Sequence, residues 1–225
     1  MTEAPNLLND DGSASIATAL LMSHHGLRRD LARFRRALQN VANGDSSRVE
    51  ALREEWQGYR ETLHGHHEAE DTGLFPHILS EHASLGPVIE QLTAEHRLID
   101  PLLERGDRAF SELPDTKAAT GVIDELKALL DAHLMREEAE ALPFLRDLKE
   151  FPPPDAAVLE MYAQGFAWSS HGVAPEVLER VYAMLPESLT ARLPAARAAF
   201  DARCERVWGS ARAGASRTAL PDASE

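Results

Sequence analysis

Residues 52–76 read LREEWQGYRETLHGHHEAEDTGLFP. Leu52, Trp56, Tyr59, Leu63, His66, Glu70 and Leu74 recur at intervals of three and four, the spacing of one face of an α-helix. The helix is expected to begin near Ser47, with Ser47 and Glu50 in capping-box spacing, and to be disturbed at Phe75-Pro76. Its apolar face carries a histidine and a glutamate where leucines belong. Ionisable groups aimed into a helical core are costly to bury unless something in the core pairs with them, and a metal centre is the economical partner.

The same substitution recurs along the chain. A first helix is expected from about Ala14 to Val41, with Leu20, His24, Leu27, Leu31, Phe34, Leu38 and Val41 in line and Asn43-Gly44-Asp45 ending it. A third starts near Pro87 with Val88, Leu92, His96, Ile99 and Leu103 in line, and Pro101 is expected to cost it a hydrogen bond and kink it. A fourth runs from about Lys117 to Leu148 with Val122, Leu126, Leu129, His133, Glu137 and Ala141 in line; Pro143 bends its end. Four amphipathic helices with short connections predict an all-α fold, an up-down-up-down four-helix bundle spanning 13–149. Phe151-Pro152-Pro153-Pro154 is a stiff break. Beyond it, helices over 155–170, 175–185 and 186–208 form an extension, 150–209, expected to pack on the bundle. Pro175 and Pro186 suit first-turn positions, and Pro194 splits the last helix. Residues 1–12 and 210–225 are polar segments expected to be flexible.

Composition narrows the class. The chain has 225 residues and a net charge of −14, which argues against nucleic acid and anionic membrane as partners. The run from Ala14 to Met22 is too short to span a bilayer, and no basic leader precedes it. The single cysteine, Cys204, excludes an internal disulfide and a thiolate cluster and suits a reducing compartment. A soluble cytoplasmic protein is expected. Arg28, Arg29, Arg33, Arg35 and Arg36 interleave with Leu27, Leu31 and Phe34, and are expected to be a solvated helix face.

The chemistry lies in two pairs, His66 with Glu70 and His133 with Glu137. Spacing of four puts an imidazole and a carboxylate one turn apart on one face. Two such pairs from two helices can surround one point, and each carboxylate can bridge two metals. Histidine and carboxylate without thiolate suit iron, manganese or zinc, with iron favoured if oxygen is involved. Rival motifs fail. Glu61 and His64 form one Glu-x-x-His pair without a second copy; His67-Glu68-Ala69-Glu70-Asp71 has Asp where a zincin needs histidine. No P-loop, dinucleotide fingerprint or nucleophile elbow occurs. Tyr59 is either a plain core aromatic or a partner that orients ligands or donates a proton.

His24-His25-Gly26-Leu27-Arg28, His66-His67-Glu68-Ala69-Glu70-Asp71 with Leu74-Phe75-Pro76, Glu95-His96-Arg97, and His133-Leu134-Met135-Arg136-Glu137-Glu138 with Leu142-Pro143 together resemble the hemerythrin-like HHE cation-binding domains over about 15–149. The resemblance implies a non-haem di-iron centre, carboxylate- and oxo- or hydroxo-bridged. It makes Glu70 and Glu137 the bridges, His24 and His66 the pair on one iron, and His96 and His133 ligands of the other. Oxygen-carrying members place two histidines on the third helix; here Leu92 stands four before His96, and His67 takes the fifth place, about 100° round the helix from His66. His25 falls to a supporting or surface role, and His77, His82 and His171 lie outside the pattern. The expected function is binding of, and reaction with, dioxygen, peroxide or nitric oxide. Turnover would make it a di-iron oxidoreductase of peroxidase, catalase or oxygenase type. The alternative is an iron or oxygen sensor or carrier whose centre gates a partner-binding surface, with a protein partner or homodimer left open. A closed structural metal site and a metal-free interaction module are the remaining readings.

Overall fold

The computed structural model describes residues 6–209, all helical or irregular, with no strand among them. The helices are α1 (Ile16–Ala42), α2 (Val49–Ala69), α3 (Phe75–Glu81), α4 (Gly86–Ser111), α5 (Lys117–Glu140), α6 (Leu159–Ser170), α7 (Pro175–Ala183), α8 (Glu187–Thr190) and α9 (Leu193–Trp208), with a π segment at Glu70–Leu74 and 3-10 turns at Ala83–Leu85 and Leu142–Leu145. The described chain packs as two compact units, one holding 6–29 and 142–205, the other 30–141 and 206–209. The division cuts through α1.

In the second unit, the helix faces expected to be apolar are buried: Leu31, Phe34, Leu52, Trp56, Leu63, Leu92, Ile99 and Leu126 are almost or wholly shielded from solvent. Phe34 sits at the centre of an aromatic cluster, edge-on to Phe110 (5.3 Å) and Trp208 (4.9 Å), while Trp56 stacks on Phe110 at 4.6 Å. Gly106 makes that stack feasible: a Cβ there would lie 2.0 Å from Trp56 Cζ2. Cross-helix pairs show that neighbours run antiparallel. Trp56 Nε1 donates to Asp107 and Thr93 to Asp71, so α4 descends beside α2 and its π segment. Arg105 pairs with Glu125 and His96 with His133, so α5 runs opposite to α4.

The first unit gathers 6–29 with 142–205. Leu7 is buried and its carbonyl accepts from Thr18 Oγ1; Arg146 donates to the carbonyls of Asn6 and Leu8. Ile16 N–H, at the start of α1, donates to the Leu148 carbonyl (2.8 Å), satisfying one of the orphan donors of a helix N-terminus. Arg29 donates from Nη1 to the carbonyls of both Trp168 and His171, each at 2.9 Å, near the C-terminal end of α6. His25 Nε2–H donates to the same His171 carbonyl (3.0 Å), and the Trp168 indole lies over Gly26. The contacts explain why the compact unit cuts α1: its first turns are gripped by the C-terminal helices.

Several local expectations are corrected. The Ser47–Glu50 capping box does not form, because Asp45 Oδ1 takes the Ser47 amide and hydroxyl and Glu50 pairs with Arg53. The fourth helix stops at Glu140, short of Leu148; Pro143 lacks the amide a helix needs, and the chain continues as a 3-10 turn. Its buried face carries Leu130, with Leu129 only half-buried. The second helix is disturbed just before Phe75-Pro76, where the π segment Glu70–Leu74 separates α2 from α3; Pro76 itself falls in the first turn of α3, where no amide is missed. Pro101 lies inside α4, where it was expected. The last helix is split at 191–192, and Pro194 opens α9. The arginine cluster is not uniformly solvated: Arg29 and Arg33 are buried, Arg33 against Asp30, whereas Arg35 is exposed. Of the segments expected to be flexible, 1–5 and 210–225 lie outside the described residues, whereas within 6–12 Leu7 is buried and Asn9 donates to the Arg146 carbonyl.

Candidate metal centre

α2 delivers two consecutive histidines and then changes pitch. At Glu70–Leu74 the ladder widens, and the Phe75 amide donates to the Glu70 carbonyl five residues back. Pro76 offers no amide of its own just beyond it. Such π turns concentrate at functional sites. The widened turn faces α4 with Glu70 buried and Asp71 half-buried.

His67, Glu70, His96 and His133, all buried, each bring one donor atom to within 4.8 Å of the others. His67 and His96 stack with ring centroids 4.0 Å apart, and His133 stands edge-on to both. His96 Nε2 lies 3.2 Å from His133 Nε2 and 3.4 Å from Glu70 Oε2. A second group shares Glu70: its Oε1 lies 2.8 Å from His66 Nε2, and His66, Glu70 and Glu137 again bring donors within 4.8 Å of one another. One Glu70 oxygen therefore faces each group. His24, on α1 in the other compact unit, is fully buried. Leu92, four residues before His96, is fully buried and brings no donor.

Hydrogen bonds behind the rings fix where their lone pairs point. His96 Nδ1–H donates to Asp71 Oδ2 (3.1 Å), and Asp71 Oδ1 accepts from Thr93 Oγ1 (2.8 Å). His133 Nδ1–H donates to Glu95 Oε2 (3.0 Å), and Glu95 Oε1 pairs with Arg136. With the Nδ1 protons held by carboxylates, the neutral rings present Nε2 lone pairs to each other. Two lone pairs at that separation repel unless a proton or a metal cation stands between them. His67 Nε2 is buried with no hydrogen-bond partner.

The ionisation states fit a cation. Burial, then the neighbouring His96 and His66, pull the His67 pKa down to about 2, so its ring is neutral with a lone pair to give. Burial also lowers the His133 pKa, against the opposing pull of Glu95. Burial acts the same way on His96, but hydrogen bonds to Glu70 and Asp71 outweigh it and leave that pKa raised. Imidazole and carboxylate without thiolate suit iron, manganese or zinc, and Cys204 is buried in the other unit. The residues present fit a metal.

The hemerythrin HHE cation-binding domain model matches residues 15–145. The chain belongs to the hemerythrin HHE cation-binding domain family. No curated protein and no solved structure matches it significantly. The family and the buried His/Glu groups together make this a hemerythrin-like helical cation-binding domain. No described helix is long and apolar enough to cross a membrane.

The remaining histidines separate by surroundings. His64, His77 and His82 are exposed. His25 is buried, but against the His171 carbonyl. Tyr59 belongs to the aromatic cluster, stacked on Trp56 at 6.0 Å; burial, then Asp30 and Asp131, push its pKa well up, so its phenol stays protonated. Sequence reasoning gave no role to Asp71, Thr93, Glu95 or Arg136. A carboxylate immediately before His96 was the visible signal for Glu95; its partner on the neighbouring helix was not visible.

Proposed function

We propose that this hemerythrin-like chain holds two non-haem iron ions and binds and reacts with dioxygen, peroxide or nitric oxide. One observation carries the dinuclear reading: Glu70 turns Oε1 toward His66 and Oε2 toward His96. In this assignment His67, His96 and His133 would hold one ion and His66 the other, to which the family resemblance adds His24. Glu70 and Glu137 are the bridges. Bound there, the irons would supply Lewis acidity and redox electrons.

The chain's own residues prepare the site. His67 is kept neutral by burial, so it binds metal without first losing a proton. Asp71 and Glu95 hold the His96 and His133 rings in the tautomer that turns Nε2 inward. Phe75, itself buried, stacks on His96 at 5.8 Å and sets an apolar ring beside the donor cluster. The group built on His66 offers fewer imidazoles than the group of His67, His96 and His133, so the ion it would hold is the one with room for a small molecule. Turnover of peroxide or oxidation of a small molecule would make this a di-iron oxidoreductase. The lone cysteine supports a cytoplasmic setting.

The test is anaerobic stopped-flow absorption of iron-loaded protein mixed with peroxide, dioxygen or nitric oxide. A new near-ultraviolet or visible band with each reactive ligand is expected. No spectral change with any of the three would overturn the reactive reading.

A second reading, a sensor whose centre gates a partner surface, is favoured by the grip of Trp168 and His171 on the turn of α1 that follows His24. It expects protease protection of residues 150–209 to rise on iron loading. Equal protection with and without iron would remove it.

A further inference from the structure

The two histidines that face each other are backed by carboxylates of unlike company. Asp71, behind His96, accepts from the neutral Thr93 hydroxyl. Glu95, behind His133, is paired with the Arg136 guanidinium, and its side chain is 15% exposed. A carboxylate that accepts an imidazole N–H makes the ring a stronger electron donor, and a cation on that carboxylate weakens the effect.

We propose that Arg136 and Glu95, acting through His133, and Thr93 and Asp71, acting through His96, set the reduction potential of the centre in opposite senses. Glu95 and Asp71 push electron density toward the metal and favour its oxidised state. Arg136 and Thr93 hold that push in check. All four are positioning residues, since none brings an atom to the donor cluster. The inference rests on the reading that His96 and His133 hold metal.

The geometry favours this over a purely structural role. Arg136 reaches Glu95 from α5, the same helix that carries His133, so the guanidinium is not needed to bring the two helices together. Thr93 stands three residues before His96 and reaches Asp71 on the π segment, closing a three-residue circuit. Each circuit contains one ring, one carboxylate and one donor that competes with the ring for that carboxylate.

The experiment is redox titration of iron-loaded wild-type protein and four variants, followed by absorption, with iron content and helicity measured on each. E95Q should raise the potential and weaken iron binding by roughly 10–100-fold. R136Q should lower the potential without that loss, and R136K should stay near wild type. T93V, which changes no charge, should also lower it. R97Q removes an exposed cation next to His96 that makes no contact with either carboxylate, and should leave the potential unchanged. Shifts of E95Q and R136Q in the same direction, or an R97Q shift equal to that of R136Q, would overturn the proposal. If E95Q does not fold, T93V decides: an unchanged potential overturns it. Wild-type protein that binds no iron would defeat the underlying metal reading instead.

Discussion

His67→Leu should make the metal-free protein more stable while crippling its hold on iron. His67 is 6% exposed and its Nε2 has no hydrogen-bond partner. A buried polar atom left unsatisfied costs about 1–3 kcal/mol, and leucine of similar volume removes that cost. The gain should grow in acid. The folded pKa of His67 is lowered from 6.5 to about 2, so below pH 6.5 the unfolded chain takes a proton that the folded chain refuses. Stability from this group is therefore lost as pH falls from 6.5 toward 2, by about 1.4 kcal/mol at pH 5.5. His67→Leu abolishes that loss. Urea denaturation of both proteins, freed of metal, at pH 7.5 and 5.5 should show the variant ahead at both and further ahead at the lower pH. The same variant should bind iron less tightly. A metal-free variant less stable than wild type at both pH values would refute the reasoning, because His67 would then be an ordinary satisfied core residue.

Gly26→Ala would place a Cβ 2.6 Å from the Trp168 ring; overpacking of about 1–3 kcal/mol should appear as faster proteolysis within 150–209. Gly106→Ala would place a Cβ 2.0 Å from Trp56 and should lower stability by a similar amount, about 1–3 kcal/mol, read by urea denaturation with altered Trp fluorescence. Stripping metal with a chelator should lower the melting temperature, since a ligand at 100 times its Kd stabilises by about 2.7 kcal/mol; an unchanged melting curve would mean the groups bind no metal in the folded state.

The helices were legible because burial is periodic. Leu52, Trp56, Leu63, Leu92, Ile99 and Leu126 lie on the faces their spacing selects. The anomaly of histidine and glutamate on those faces was equally legible, since charge in an apolar stripe needs no partner to be noticed. What escaped depended on cross-helix register or on local backbone chemistry. Glu95 and Arg136 sit among ordinary polar residues of α4 and α5, and only the antiparallel register of those helices brings them behind His133. The π turn at Glu70 leaves no periodic trace in five residues. Asp45 outcompeted Glu50 for Ser47, a choice between two carboxylates that spacing alone does not make. Arg29 looked solvated because the helix pattern of α1 does not reveal that Trp168, His171 and Phe200 cover that side.

The most direct test of a shared, two-metal centre is the iron content per chain of wild type, His66→Ala and Glu70→Ala, measured by elemental analysis after anaerobic reconstitution. Two irons are expected in wild type. His66→Ala should keep about one, and Glu70→Ala, which removes the carboxylate facing both groups, should keep fewer than His66→Ala. A single iron in wild type, or two irons retained without Glu70, would contradict the dinuclear assignment.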